Sequence, residues 1–165
     1  MIIKTYKTLI ADALKIVKEI SPWDLEYKIN NKNKLILLDI REPKEYRKMH
    51  IKGSINIPRG VLEQALEWGY DETEPHLIEA KDKEIIVICR SGNRSVLAAY
   101  TMCQLGYKNV KSLKLGIKGW NDSDFPLINN KNNTIDNDNA DLVLSKPVIK
   151  DKLKPSLTYN KTIAK

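Results

Sequence analysis

Residues 84–107, EIIVICRSGNRSVLAAYTMCQLGY, decide the fold. They open on Glu84-Ile85-Ile86-Val87-Ile88, four β-branched apolar residues behind one carboxylate. A continuous run of this kind predicts a strand buried on both faces, the habit of a parallel sheet. Cys89 ends the run, and Arg90-Ser91-Gly92-Asn93-Arg94 follows as a short polar loop. Ser95 through Leu105 is rich in helix formers and closes on Gly106, a residue suited to the position just past a helix. The order is strand, cysteine, tight loop, helix.

A thiol so placed lies at the carboxyl end of a central strand, over the amino end of a helix. The first helical turn has unpaired N–H groups and the positive end of the macrodipole. Gly92, free to take positive φ, lets the loop turn further N–H groups inward as an anion nest. Arg90 and Arg94 add formal charge. Together these favour a thiolate and make Cys89 the candidate nucleophile. Arg90, Ser91, Gly92, Asn93, Arg94 and Ser95 form the candidate cradle for its substrate. The plain alternative is a buried structural cysteine, since free Cys is among the most buried residue types. Two arginines and a glycine in the next five positions weigh against it.

Cys89-Arg90-Ser91-Gly92-Asn93-Arg94-Ser95 resembles the active-site loop of the rhodanese-like sulfurtransferases. Residues 37–46, LLDIREPKEY, and 50–58, HIKGSINIP, are similar to that family's amino-terminal signature. Leu115-Gly116-Ile117-Lys118-Gly119-Trp120, with Pro126 after it, is similar to its closing helix. The likeness spans about residues 18 to 127. It implies an α/β fold with a small, mostly parallel five-stranded sheet and helices on both faces. It also implies a two-step chemistry with no cofactor. Cys89 takes the outer sulfur of a small donor, holds it as a persulfide, and yields it to cyanide or to a small thiol or protein acceptor. Arg90 and Arg94 would position the donor's oxyanion. The family usually has two glycines ahead of its final helix. Here Leu115 stands at one of them, which puts the width of that turn in question.

Two other readings share the fold. A Cys-dependent phosphatase or arsenate reductase has an arginine at the seventh position of a Cys-x5-Arg loop, where it clamps a tetrahedral oxyanion. In this chain Arg94 is sixth and Ser95 seventh, so the ring is one residue short and suits a single sulfur better than a phosphate. A non-catalytic rhodanese-like binding module is the third reading, and the retained cysteine weighs against it.

The flanking sequence supplies the rest of the sheet. Val17–Ile20 reads as a short edge strand, and Ser21-Pro22-Trp23-Asp24 as a helix start with Ser at the cap and Pro at the first position. Leu35–Leu38 reads as a second buried strand that delivers Asp39 and Arg41 to the carboxyl edge, where open α/β sheets bind ligands. For Asp39 and Arg41 the expected role is support of the loop edge, although Arg41 and Glu45 are also spaced to pair with each other. Ser54–Ile57 and Val110–Leu113 complete five strands, and Arg59–Ala80 holds one or two helices. Arg59 and Trp68 are candidates for a pocket rim, with core or solvent roles as the default. Trp120, at helical spacing from Ile117, reads as a core anchor.

Residues 5–15 place Leu9, Ile10, Ala13 and Leu14, with Val17 beyond them, at helical spacing opposite Lys7, Asp12 and Lys15. The charges interrupt a signal-peptide core, so the segment reads as a docked helix of a cytoplasmic protein. No apolar run is long enough to span a membrane. Cys89 and Cys103 are too few for a disulfide framework, which fits a reducing compartment. His50 and His76 are far apart and lack partners at ligand spacing, so no metal site is expected. Residues 136–141 fail as a calcium loop, with Ala140 at a ligand position and Asp141 where the turn glycine belongs.

The chain of 165 residues, 42% hydrophobic, divides at about residue 127. Residues 1–127 form the rhodanese-like domain with its N-terminal helix. Residues 128–165 read as an Asn-rich linker, with six asparagines in 129–139, followed by a basic tail carrying Pro147 and Pro155. The net charge of +7 is spread along the chain. No basic stripe interleaved with aromatics points to nucleic acid. Positive charge near the loop favours an anionic donor such as thiosulfate.

Overall fold

A computed structural model describes residues 3–153 of the chain. Residues 154–165, with Pro155 and the end of the basic tail, lie outside the described residues. Five parallel strands, β1 (Lys18–Ile20), β2 (Leu35–Asp39), β3 (Ile55–Asn56), β4 (Glu84–Ile88) and β5 (Asn109–Leu113), form one sheet in the order β1-β5-β4-β2-β3. β4 is central, with all of Ile85–Ile88 buried, as its β-branched run requires. Every strand enters from the same end, so Asp39, Cys89 and the turn after Leu113 meet at one edge.

Alternating side chains divide the core between the two faces. Leu38, Ile85, Val87 and Val110 pack with Leu62 and Ala65 of α4 (Leu62–Ala65), Leu77 of α5 (Pro75–Ile78), and Ala98, Ala99 and Met102 of α6 (Asn93–Gln104). Leu37, Ile86, Ile88 and Leu113 pack with Leu25 of α2 (Pro22–Asn30), and with Ile117 and Trp120 of α7 (Gly116–Asp122). Helices cover both faces. Ser21 caps α2 by accepting from the Asp24 N–H at 3.1 Å, with Pro22 in the first turn. Trp120 is buried and its indole N–H donates to the Pro126 carbonyl at 3.0 Å. The stretch 59–80 supplies only a 3₁₀ turn, α4 and α5, each about one turn long. Trp68 is exposed, and Arg59 pairs with Glu63.

The amphipathic amino-terminal segment forms α1 (Tyr6–Ala13), capped by reciprocal hydrogen bonds between Thr5 and Thr8 and packed against α6. Ala13 and the following Val17 are buried, but Leu9 and Leu14 stay 43% and 40% exposed, so the apolar face is only partly covered. Beyond Pro126 the chain makes an antiparallel pair, β6 (Leu127–Ile128) and β7 (Thr134–Ile135), then α8 (Asn137–Leu144). The stretch read as a linker thus carries β7 and the start of α8. Asp136 caps α8 by accepting from the Asn139 N–H at 3.0 Å. Ala140 and Leu144, four apart, bury one stripe of α8 in the α7 face of the core. The short α3 (Pro43–Lys48) is joined to the hairpin through His50. The His50 N–H donates to the Ile128 carbonyl, and the Ile128 N–H donates back. The His50 ring stacks on Tyr46 at 3.9 Å, with Nδ1 2.9 Å from the Tyr46 carbonyl.

Candidate active site

Cys89 follows β4 directly, and Ser95 lies in the first turn of α6. Gly92 caps that helix with φ +92°, a conformation that favours glycine and turns its N–H back toward the cysteine. The Gly92 N–H donates to Cys89 Sγ at 3.1 Å. The Ser95 hydroxyl lies 3.3 Å from the same sulfur and 2.8 Å from both the Gly92 carbonyl and Ser112 Oγ. Cys89, Ser95 and Ser112 are all buried. The sulfur therefore sits in a dry cradle of one amide and one hydroxyl. This is narrower than the ring of converging amides expected from the loop sequence. Ser112 on β5 was missed by reasoning from sequence, because a lone serine in an apolar strand gives no local signal.

The back of the loop is held by α7. Ile117 N–H donates to the Cys89 carbonyl at 2.8 Å and Lys118 N–H to the Arg90 carbonyl at 2.9 Å. These two bonds tie the Cys89 and Arg90 carbonyls behind the loop, on the side away from the Gly92 N–H that meets the sulfur. The fit leaves no room for a side chain: a Cβ on Gly116 would lie 2.3 Å from the Cys89 carbonyl oxygen. The turn whose width was in question is kept open by Leu115 itself, which adopts φ +62° where a glycine would be unstrained.

The two loop arginines are both engaged. Arg94 donates from Nη1 and Nη2 to the Glu45 carboxylate, each at 2.9 Å. Burial pushes the Glu45 carboxyl up, but the hydrogen bonds and charge of Arg94 outweigh it and hold the carboxyl below its ordinary 4.5. Arg90 donates from Nε at 3.1 Å, and also from Nη2, to the carbonyl of Leu144. Its cation thereby meets the negative end of α8. Ser91 and Asn93 are exposed on the outer rim of the loop.

Asp39 and Arg41 form a fully buried pair at the same edge. Arg41 Nε donates to Asp39 Oδ1 at 3.0 Å, and Nη2 donates both to Oδ2 and to the Met49 carbonyl at 2.6 Å. Arg41 therefore pairs with Asp39 and not with Glu45, which its helical spacing had also allowed. Asn56, another residue without a sequence signal, donates to the carbonyls of Asp39 and Arg41 at 2.9 Å each. From α1, Tyr6 feels the site: its phenol is pushed up first by burial and then by the charge of Cys89. Cys103, on the far part of α6, is pushed up by burial.

Beside the loop lies a cavity of ≈190 Å³, between α3, Arg90 and α8. Among the described residues there is no helix long and apolar enough to cross a membrane.

Comparison with known proteins agrees with this architecture. The family model of the rhodanese-like domain matches residues 21–123. The chain belongs to the rhodanese-like domain family. It is 32% identical over 117 residues to a "Putative thiosulfate sulfurtransferase, mitochondrial" of Schizosaccharomyces pombe, covering 65% of this chain and 82% of that one. It is 36% identical over 104 residues to "Putative sulfur carrier protein YrkF" of Bacillus subtilis, covering 63% of this chain. The match spans about half, 51%, of that relative's length. Among solved structures, protein RPA3614 of Rhodopseudomonas palustris, described as a "Possible Tyrosine Phosphatase", is similar at a TM-score of 0.70 and 28% identity, over 77% of this chain and 96% of that one.

Proposed function

We propose that the protein is a sulfurtransferase in which Cys89 carries sulfane sulfur from an anionic donor such as thiosulfate to a thiophilic acceptor. The observation that carries this reading is the Cys89 cradle, with Gly92 N–H 3.1 Å from the sulfur at the end of the central strand. The Cys89 thiolate attacks the outer sulfur of thiosulfate. A new S–S bond forms, the donor's own S–S bond breaks with its electron pair, and sulfite leaves. The persulfide keeps one negative charge on its outer sulfur, while the Gly92 N–H and the Ser95 hydroxyl lie against Sγ, where the thiolate forms before and after transfer. An acceptor thiolate or cyanide then attacks the outer sulfur, and the Cys89 thiolate returns. Relatives named as a thiosulfate sulfurtransferase and a sulfur carrier support the class. Two free cysteines suit the cytoplasm as its compartment.

The resemblance to a structure described as a possible tyrosine phosphatase gives the phosphatase reading a hearing. Loop length and charge weigh against it. Ser95 occupies the seventh position, and the Arg94 guanidinium is already bidentate on Glu45. No arginine is left there to clamp a phosphoryl group. The test is thiosulfate:cyanide turnover, with p-nitrophenyl phosphate hydrolysis measured beside it. Turnover by the native chain and its loss in Cys89→Ser is the expected result. Sulfur transfer persisting in Cys89→Ser, or phosphate release without sulfur transfer, overturns the reading.

A further inference from the structure

Arg90 is tied in two ways, and the ties lead to two helices that are bonded to each other. Its carbonyl accepts from the Lys118 N–H at 2.9 Å, and the preceding Cys89 carbonyl accepts from the Ile117 N–H at 2.8 Å, so α7 holds the backbone. Its side chain donates from Nε at 3.1 Å, and also from Nη2, to the carbonyl of Leu144, the last residue of α8. At the other end of α8, Asn137 Nδ2 donates to the Asn121 carbonyl of α7 at 3.2 Å. Asn121 Nδ2 donates to the Asn137 carbonyl at 3.0 Å in return. Ala140 and Leu144 are buried. Loop, α7 and α8 thus close a ring of hydrogen bonds around an apolar contact. α8 joins that ring from beyond residue 123, where the family match ends.

The ring also sets where Arg90 points. Its guanidinium lies beside Met49 and Leu144, which belong to the core on the α7 face of the sheet. The Cys89 side chain packs in the core on the α6 face. Neighbours in the chain, the two side chains leave the sheet edge on opposite sides. To grip a donor's oxyanion, as the likeness of the loop implies, Arg90 would have to leave α8 and cross that edge.

We propose that Arg90 is a positioning residue and not a contact to the donor, and that α8 acts through it to keep the Gly92 N–H on Cys89 Sγ. Only Ser91 separates Arg90 from Gly92, whose φ of +92° turns its N–H toward the sulfur. With Arg90 held by both its carbonyl and its side chain, that turn has little freedom to unwind. Released from α8, the loop keeps only its backbone ties to α7, and the bond to Sγ competes with looser loop conformations. The consequence is a less stabilised thiolate, with donor binding untouched. This deepens the sulfurtransferase reading and rests on it only where donor kinetics are used.

The test measures, in the full chain, the KM for thiosulfate and the pH profile of Cys89 alkylation by iodoacetamide, read at that residue by peptide mass. In Arg90→Ala the KM is expected to stay within about twofold of native. Alkylation near neutral pH slows by roughly tenfold, the scale of one hydrogen bond to a charged group, and its profile moves to higher pH by about one pH unit. Ala140→Leu overfills the buried seat of α8 and leaves the charge of Arg90 in place. It is expected to give the same shift, and the double substitution no more than either alone. Asn137→Ala releases the α7 end of α8 without disturbing the core, and moves the profile in the same direction even if overfilling unfolds the chain. A rise of about fivefold or more in the KM of Arg90→Ala makes Arg90 a donor contact and overturns the proposal. So does a profile that stays native in the α8 variants, which leaves only the charge of Arg90 at work, or shifts that add in the double. A native chain that takes no sulfur from thiosulfate sinks the sulfurtransferase reading, and the alkylation profile then still decides the positioning role.

Discussion

The Ser95 hydroxyl has one proton and three neighbours within reach: Cys89 Sγ, the Gly92 carbonyl and Ser112 Oγ. A thiol at Cys89 can donate to Ser95 while Ser95 donates to Gly92. A thiolate has no proton to give, so Ser95 must turn its own toward the sulfur and abandon the Gly92 carbonyl. Ser112, 3.4 Å from that carbonyl, is placed to take it over. Ser112→Ala removes the substitute and leaves Ser95 serving a buried carbonyl in place of the sulfur. Alkylation of Cys89 by iodoacetamide at neutral pH is expected to slow by roughly tenfold, about one hydrogen bond to a charged group. An unchanged rate would show that Ser112 has no share in stabilising the thiolate. Residues 89–95 could be read in advance because cysteine, glycine and two arginines in one short loop restrict one another. Ser112 and Asn56 could not, because their roles depend on strands that are adjacent only once the sheet is ordered.

At the scale of elements, β4, the loop and α6 follow from local rules: a β-branched run, a positive-φ glycine and a helix closing on Gly106 at φ +90°. α7 matters as much and is less visible, because its contribution is main-chain hydrogen bonds to the back of the loop. Gly116→Ala would place a methyl 2.3 Å from the Cys89 carbonyl oxygen at a residue with φ +59°. Overpacking and left-handed strain together are expected to cost roughly 3 kcal/mol in chemical denaturation. Sulfur transfer should fall as well, because the backbone that must yield is that of Cys89 and Arg90. Stability within about 0.5 kcal/mol of native would contradict this close approach. α8 was hidden for a different reason. Asparagines dominate its approach, and of the run Leu142-Val143-Leu144 only Leu144 is buried, so the apolar triplet misrepresents which face is covered. The signal that could have found it is Asp136 as a cap with Ala140 and Leu144 at i, i+4. Leu144→Ala is expected to cost roughly 2–5 kcal/mol if α8 is packed as described. A loss under about 0.5 kcal/mol would contradict that packing.

At the scale of the whole molecule, two carboxylates tie distant parts of the chain to the sheet. Glu45 joins α3 to the start of α6 through Arg94, and Glu84 joins α2 and β5 to β4 through Lys28 and Lys111. In each, burial pushes the carboxyl up, and the hydrogen bonds and charges of the basic partners outweigh it. Both carboxyls therefore titrate lower in the folded chain than in the unfolded one. Their stabilisation is fully present above the ordinary glutamate value of 4.5 and is lost as pH falls through the lowered folded values. Unfolding free energy from denaturant titrations should be level near neutrality and decline below about pH 4. Glu45→Gln should flatten part of that decline. A decline that is the same in Glu45→Gln would remove the Glu45–Arg94 pair from the account.

The most direct test of the central claim is the intact mass of the protein after thiosulfate treatment and desalting. The native chain is expected to gain the mass of one sulfur atom and to lose it on addition of cyanide, while Cys89→Ser gains none. A native chain that takes up no sulfur, or a Cys89→Ser chain that takes it up equally through Cys103, would contradict the claim that Cys89 is the sulfur carrier.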